Sequence, residues 1–168
     1  MGTKKLIWVL FGILVVSAWI LGSAIQAGAA IKNYKYFNYT TKVERFSVGD
    51  VDGHRVSLLL TKTFLWFEDG EVAITDAVVT SDLIKSSGTY YQYGIWKFPD
   101  GSTIIIKLQG TTGVAGVSAK SEILKGTGRF EGIKGTSSAK GKYLPPQEGD
   151  VGPMGYGEGT LTYTMPTK

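Results

Sequence analysis

Beyond residue 30, runs of β-branched, aromatic and alternating apolar residues are separated by short stretches of turn-forming residues. This pattern predicts β-strands and no helix longer than a turn. The turns are short, and Asp69-Gly70 and Pro99-Asp100-Gly101 are typical of hairpins. Eight strands are predicted, at Tyr36–Phe46, His54–Glu68, Glu71–Ile84, Thr89–Phe98, Ser102–Gln109, Val117–Leu124, Thr136–Tyr143 and Tyr156–Met165. Short turns between successive strands favour an antiparallel meander.

Eight antiparallel strands can stack as a sandwich or close into a barrel. Closure removes the exposed edge strands, and an eight-stranded barrel has room inside for side chains or one small ligand. The run His54–Glu68 is apolar on both faces, so it needs cover on both sides. A barrel core on one side and a subunit contact on the other would supply that cover. We therefore expect a single all-β domain over residues 31–168, an eight-stranded antiparallel β-barrel that forms a homo-oligomer.

Residues 1–30 have a different character. Two lysines precede the uncharged apolar run Leu6–Leu21, and small residues follow it, including Ala27-Gly28-Ala29. A cationic start, an apolar middle and a small-residue exit are typical of a secretory signal peptide. The apolar run through Ile31 is also long enough to span a bilayer. The sequence thus predicts an exported protein, periplasmic or secreted, or one that an uncleaved segment anchors to the membrane.

Charge and composition exclude several kinds of function. The predicted leader holds two of the 18 basic residues and none of the 14 acidic ones, which leaves 16 against 14 in the rest of the chain. This near balance argues against a nucleic-acid partner. Cysteine is absent, which excludes thiol catalysis and cysteine-ligated metals, and His54 is the only histidine. We expect no metal site, and an exposed position for His54 beside its glycine turn.

The stretch 122–136 combines glycines with one arginine and one phenylalanine, a composition suited to a tight excursion between two strands. We expect Phe130 to fold over the end of the sheet as a plug and Arg129 to pair with a carboxylate. The motif residues are Gly126, Gly128, Arg129, Phe130, Gly132 and Gly135. Their spacing resembles the G-[ST]-G-x-F-x-G-x-x-G signature of the allene oxide cyclase-like barrels, a superfamily that includes the plant dirigent proteins.

The resemblance implies an eight-stranded antiparallel barrel with a mainly apolar lumen, assembled as dimers or trimers. Characterised relatives bind a hydrophobic reactive intermediate and steer its ring closure or coupling, without a metal or an organic cofactor. In plant allene oxide cyclases a glutamate on the first strand assists the reaction. Glu44 is the only carboxylate in the first predicted strand, but no shared motif surrounds it. The family role is therefore not carried over to Glu44.

Five residues are candidates for the site. Inside a barrel, Glu44 would have a raised pKa and exchange protons, whereas at the rim it would pair with Lys42 or Arg45. The phenols of Tyr91 and Tyr93 can orient a ligand carbonyl, or pack at a barrel wall or subunit contact. Lys107 and Gln109 share one face of their strand, and would anchor a ligand if that face points inward.

Three functions remain open from the sequence. The first is an exported barrel that binds a hydrophobic small molecule in its lumen. The second is a cofactor-independent isomerase or cyclase, which needs a buried carboxylate close to a tyrosine or an arginine. The third is a structural barrel with a filled interior and its largest apolar patch on the outside.

Overall fold

The computed structural model describes residues 29–167, so the predicted leader lies outside the described residues except for its last two positions. All eight predicted strands are present. They are β1 (Ala30–Ser47), β2 (His54–Phe67), β3 (Val72–Ile84), β4 (Ser87–Lys97), β5 (Thr103–Gly113), β6 (Gly116–Thr127), β7 (Lys134–Tyr143) and β8 (Gly155–Thr164). The main difference is β1, which begins six residues before the predicted start at Tyr36. Within residues 29–167, no helix is long and apolar enough to cross a bilayer.

The strands form a closed barrel. Each strand pairs with the next in antiparallel order, and β8 pairs with β1 through Ala30–Asn38. This last pairing excludes the sandwich, because a sandwich leaves the first and last strands of each sheet unpaired to one another. The predicted all-β, eight-stranded antiparallel barrel is confirmed.

One end of the barrel, here called the closed end, carries the β2–β3 and β4–β5 turns and the β6–β7 loop. The hydrophobic core lies in this half and includes Phe67, Phe98, Ile104 and Leu161. Phe130 is buried among them, with its ring centroid 4.7 Å from that of Phe98. The predicted plug is therefore confirmed, and the other half of the barrel, toward the open end, holds less apolar filling.

The glycine motif allows the loop to fold over the closed end. A 3₁₀ turn covers Gly128–Phe130, and Gly128 and Gly132 both have positive φ angles, +63° and +76°. The guanidinium of Arg129 lies 4.6 Å from the centre of the Phe130 ring and pairs with the carboxylates of Glu71 and Asp100. The expected arginine–carboxylate pair is thus present, and it joins three turns of the closed end.

The inner wall formed by β7 and β8 consists mostly of small residues, and aromatic rings from β1 lie against it. A Cβ atom on Gly159 would come within 2.4 Å of the Tyr34 ring, and one on Gly141 within 2.1 Å of the Tyr36 hydroxyl. Neither glycine leaves room for a side chain. The two tyrosines therefore lie along the wall instead of crossing the barrel, which leaves space in its middle.

Candidate functional site

A cavity of about 170 Å³ lies in the barrel between the core and the open end. Residues from all eight strands line it, together with Pro153 of the β7–β8 loop. Its floor is apolar and consists of Leu65, Trp96 and Ile106, with the ring of Tyr34 beside them. The phenol of Tyr34 is already satisfied, because its oxygen lies 2.7 Å from Ser137 Oγ. These four residues thus offer surface for apolar contact.

Two lining threonines have buried hydroxyl groups: Thr75 at the level of the floor, as cross-strand neighbour of Trp96, and Thr112 toward the open end, as neighbour of Gly88. Thr75 and Thr112 are 1% and 7% exposed, and within residues 29–167 their hydroxyls have no hydrogen-bond partner. A buried hydroxyl without a partner costs about 1–3 kcal/mol, so folded proteins rarely keep one. Both residues line the cavity. Each oxygen has almost no accessible surface of its own, so it would meet a molecule bound there only if the side chain turned toward the cavity.

Two further tyrosines line the cavity, Tyr36 from β1 and Tyr90 from β4. Burial raises the pKa of Tyr36 to about 12, and burial also raises the pKa of Tyr90. Both phenols are consequently protonated and neutral at physiological pH, able to donate a hydrogen bond but not to act as bases. They are suited to orienting an oxygen atom of a ligand.

The cavity lacks the charged groups of an acid–base site. Of its described lining residues none is Asp, Glu, His or Arg, and Lys142 is an exposed residue at the open end. Nor do residues 29–167 contain a group of three or more histidine or carboxylate side chains placed to hold a metal ion. The arrangement can bind and orient a neutral molecule, but it presents no carboxylate to take a proton from one.

The β7–β8 loop lies over part of the cavity mouth. Thr40 Oγ1 donates a hydrogen bond of 2.8 Å to the carbonyl oxygen of Pro153, which holds the loop against β1. Tyr143 and Gly155, at the two ends of this loop, also line the cavity. A ligand entering from the open end would pass this loop.

The structure corrects the expectation for Glu44. Its side chain is 45% exposed and forms an ion pair with Lys42 at 2.6 Å, outside the cavity. The cause is a β-bulge between Thr40 and Lys42. Asn38 and Thr40 line the cavity, so uninterrupted alternation would have pointed Glu44 inward as well. The rim ion pair, one of the two interpretations of this residue, is the observed one.

The four predicted ligand-binding residues also lie outside the cavity. The structure does bring the four residues together, because Tyr91 is the cross-strand neighbour of Gln109 and Tyr93 is the cross-strand neighbour of Lys107. However, all four are exposed on the outer face of β4 and β5. The expectation that these four side chains bind a ligand inside the lumen is therefore corrected, because they point away from it. The alternate residues of β4 line the cavity instead; they are Tyr90, Gln92 and Trp96.

His54 is less exposed than expected, and it belongs to a separate cluster at the open end. Its Nδ1 lies 2.5 Å from Asp50 Oδ1 and its Nε2 lies 2.8 Å from Asp82 Oδ1. Hydrogen bonds with Asp82 and Asp50 raise the pKa of His54. The ring thus joins the β1–β2 loop to β3, which is a structural contact outside the cavity lining.

Comparison with solved structures identifies the architecture. The pterocarpan synthase dirigent protein GePTS1 is similar with a TM-score of 0.53 and 15% identity, over 88% of this chain and 96% of that one. The chain has the dirigent-like barrel fold. The pterocarpan synthase dirigent protein PsPTS1 is also similar, with a TM-score of 0.50 and 13% sequence identity, over 83% of this chain and 97% of that one.

A further similar structure has no assigned activity. The dirigent-like barrel also resembles a protein of unknown function from the DUF3224 family of Shewanella oneidensis MR-1, with a TM-score of 0.52 and 12% identity. That match covers 84% of this chain and 100% of the other. No family model matches the sequence, and no curated protein does either. The likeness therefore concerns the fold, and the function has to be argued from the cavity.

Proposed function

We propose that this dirigent-like barrel binds one small, uncharged molecule in its lumen, with an apolar part toward the floor and one or two oxygen atoms toward the hydroxyl groups. The observation that carries the proposal is the cavity itself, whose lining combines an apolar floor with Thr75 and Thr112, two buried threonines whose hydroxyls have no hydrogen-bond partner within residues 29–167. Thr75 pairs with Trp96 and Thr112 with Gly88, eight residues apart on β4, so one small ligand could satisfy at most one of the two hydroxyls and recover the cost of leaving that one unpaired. Export or anchoring through residues 1–30 remains part of this proposal.

The size of the cavity limits the ligand. Apolar cavities of roughly 150 Å³ accept benzene-sized molecules. A volume of about 170 Å³ therefore suits a single six-membered ring with a small substituent. A longer ligand would have to extend past Pro153 at the mouth.

The polarity of the cavity limits the charge of the ligand. Burying an ion without a partner costs several kcal/mol, and among the described lining residues the one charged side chain, Lys142, is exposed at the open end. The absence of a carboxylate among these residues disfavours an isomerase or cyclase that depends on a buried carboxylate. The two pterocarpan synthase dirigent proteins share the fold at no more than 15% identity, so their named activity supports binding of a small organic molecule only by analogy.

Three probes with the same ring size test the proposal: cyclohexanone, methylcyclohexane and cyclohexanecarboxylate. We expect cyclohexanone to raise the melting temperature most, because it has both an apolar ring and an acceptor oxygen. Saturation at 100 times Kd corresponds to about 2.7 kcal/mol of stabilisation. Cyclohexanecarboxylate is expected to bind least, since its charge would either lie inside without a partner or stay at the mouth beside the exposed Lys142, which leaves the floor unfilled. Quenching of Trp96, whose side chain forms part of the floor, gives a second measurement.

Matched variants locate the binding site. The single oxygen of cyclohexanone can reach only one of the two distant hydroxyls, so either Thr75→Val or Thr112→Val, and not both, should weaken its binding by about 2–10-fold, the equivalent of one hydrogen bond. Thr80→Val is the control, since Thr80 lies on the same strand as Thr75 but is exposed on the outer face. Equal effects of all three substitutions on binding would rule the proposal out. It would also be ruled out if no probe changed the melting temperature and mass spectrometry found no ligand in an extract of the purified protein.

A further inference from the structure

A shallow groove lies on the outside of the barrel, over β6, β7, β8 and β1. It has two halves of about 730 and 920 Å³. The halves share the lining residues Lys35, Ser118, Lys140 and Glu158. They therefore form one continuous groove. Along β7 it extends from Ser138 to Lys142, about 13 Å of strand, and this elongated shape suits a chain molecule.

Hydroxyl groups cover the floor of the groove. Ser138 and Thr160 are cross-strand neighbours on β7 and β8. Lys120 and Asn33 follow on either side of this pair, and Ser118 adds an exposed hydroxyl in the next row. Each hydroxyl can donate one hydrogen bond and accept others. The floor therefore matches a partner that is itself rich in hydroxyl groups.

Three exposed lysines surround this floor: Lys35, Lys120 and Lys140. Among residues 29–167, none of the three forms an ion pair. Lysines of β2 and β4 differ in this respect, since Asp76 pairs with Lys62 at 2.8 Å and with Lys97 at 2.5 Å. The groove thus retains positive charge that a bound anion would neutralise.

One carboxylate lies between the lysines and limits the kind of anion. Glu158 is the cross-strand neighbour of Lys140 on one side and of Lys35 on the other. An ionised carboxylate accepts hydrogen bonds from hydroxyl groups and repels a second anion placed against it. The groove therefore fits a partner whose acidic groups are separated by hydroxyl groups. A polymer with a charge at every backbone position and few hydroxyl groups fits less well.

An aromatic ring lies at one end of the groove. Trp66 on β2 is the cross-strand neighbour of Lys35 and is 48% exposed. The face of an indole is a flat apolar surface, and the C–H groups on the face of a sugar ring can pack against it. Positive charge, hydroxyl groups and an aromatic face are thus combined in one groove.

We propose that this groove binds a linear acidic polysaccharide, a chain of sugar rings that carry carboxylate groups. Its carboxylates lie against the three lysines, its hydroxyl groups bind the floor and Glu158, and the face of one ring packs on Trp66. A flat membrane surface would touch only the rims of the groove. The groove lies on the outside of the barrel wall, so this proposal stands or falls separately from the ligand proposed for the lumen.

The experiment compares four polymers on the full chain: polygalacturonate, neutral dextran, polyglutamate and single-stranded oligodeoxythymidine. Binding is measured by isothermal titration calorimetry at about 50 mM salt, where charge contacts are only partly screened. We expect polygalacturonate to bind about 10-fold or more tightly than each of the others, because it alone combines carboxylates with ring hydroxyls.

Matched double variants locate the contact. Lys120→Gln/Lys140→Gln should weaken polygalacturonate binding by about 3–10-fold, as expected for two exposed charge contacts. The control Lys85→Gln/Lys97→Gln removes the same charge outside the groove lining and should bind like wild type. Circular dichroism first establishes that both variants are folded.

Each other result overturns the proposal. A wild type that does not bind polygalacturonate has no such site. Equal losses in the two double variants would mean a general attraction between the protein and any polyanion. Equal affinity for polyglutamate or oligodeoxythymidine would mean that the sugar ring is not recognised. Binding through residues 1–30 would persist unchanged in both variants, because they share that segment.

Discussion

Thr75→Val should make the ligand-free protein more stable, an unusual outcome for a change in a barrel interior. Thr75 is 1% exposed, and its hydroxyl has no hydrogen-bond partner within the described residues. Valine has nearly the same shape but no polar atom, so the substitution removes a buried unpaired group and keeps the packing. A buried hydroxyl without a partner costs about 1–3 kcal/mol, and at the lower end of this range its removal raises the free energy of unfolding by about 1 kcal/mol. For a domain of this size that corresponds to about 3–4 °C in the melting temperature.

The assay is thermal unfolding by circular dichroism with Thr40→Val as the matched control. Thr40 is also buried, but its hydroxyl donates to the carbonyl oxygen of Pro153. Its loss leaves that carbonyl without a partner, so we expect Thr40→Val to be destabilised by about 1 kcal/mol. Opposite signs for the two variants support the reasoning. A similar decrease in both would refute it, because the hydroxyl of Thr75 would then be satisfied and not available to a ligand.

Three further predictions concern the plug, the tyrosine wall and the open end. Phe130→Ala should lower the free energy of unfolding, measured in urea, by about 3 kcal/mol. The control Phe46→Ala changes an exposed phenylalanine and should lower it by less than about 0.5 kcal/mol. Equal losses would contradict the role of Phe130 as a plug. Gly110→Ala places a Cβ atom 2.5 Å from the Tyr90 ring and should weaken cyclohexanone binding, while Gly113→Ala, with an ordinary contact of 3.4 Å, should not. Because hydrogen bonds with Asp82 and Asp50 raise the pKa of His54, its stabilising contribution is complete below about pH 6.5 and is lost as the pH rises through the raised value. As the pH rises through this range, the melting temperature of wild type should fall more than that of His54→Gln. An identical dependence of melting temperature on pH in both proteins would exclude a stabilising contribution of protonated His54.

The elements of the fold could be predicted from short stretches of sequence. Asp69-Gly70 and the other turns mark where strands end, and the turn residues act through local backbone geometry. The plug is local in the same sense, because Phe130 lies between glycines that let its loop fold back. The observed strands begin and end within a few residues of the predicted ones, apart from the longer start of β1.

The lining of the cavity could not be predicted in the same way. Alternation shows that Tyr91 and Tyr93 share one face of β4 and that Tyr90 and Trp96 share the other. Both faces carry aromatic side chains, so the pattern does not say which one points inward. That choice depends on Trp96 packing against Tyr34 and Phe67, which are distant in sequence.

By itself, then, the sequence determined the strands, their turns and the plugged end, because a strand's two-residue period and a turn's backbone angles arise from neighbouring residues. Only the tertiary structure decided which side chains face the lumen. A single β-bulge at Thr40–Lys42 turned Glu44 to the outside, and pairing between β1 and β8 closed the barrel around Thr75 and Thr112, whose hydroxyls have no partner within the described residues. Bulges and closure depend on the partner strand, and no stretch of one strand contains that information.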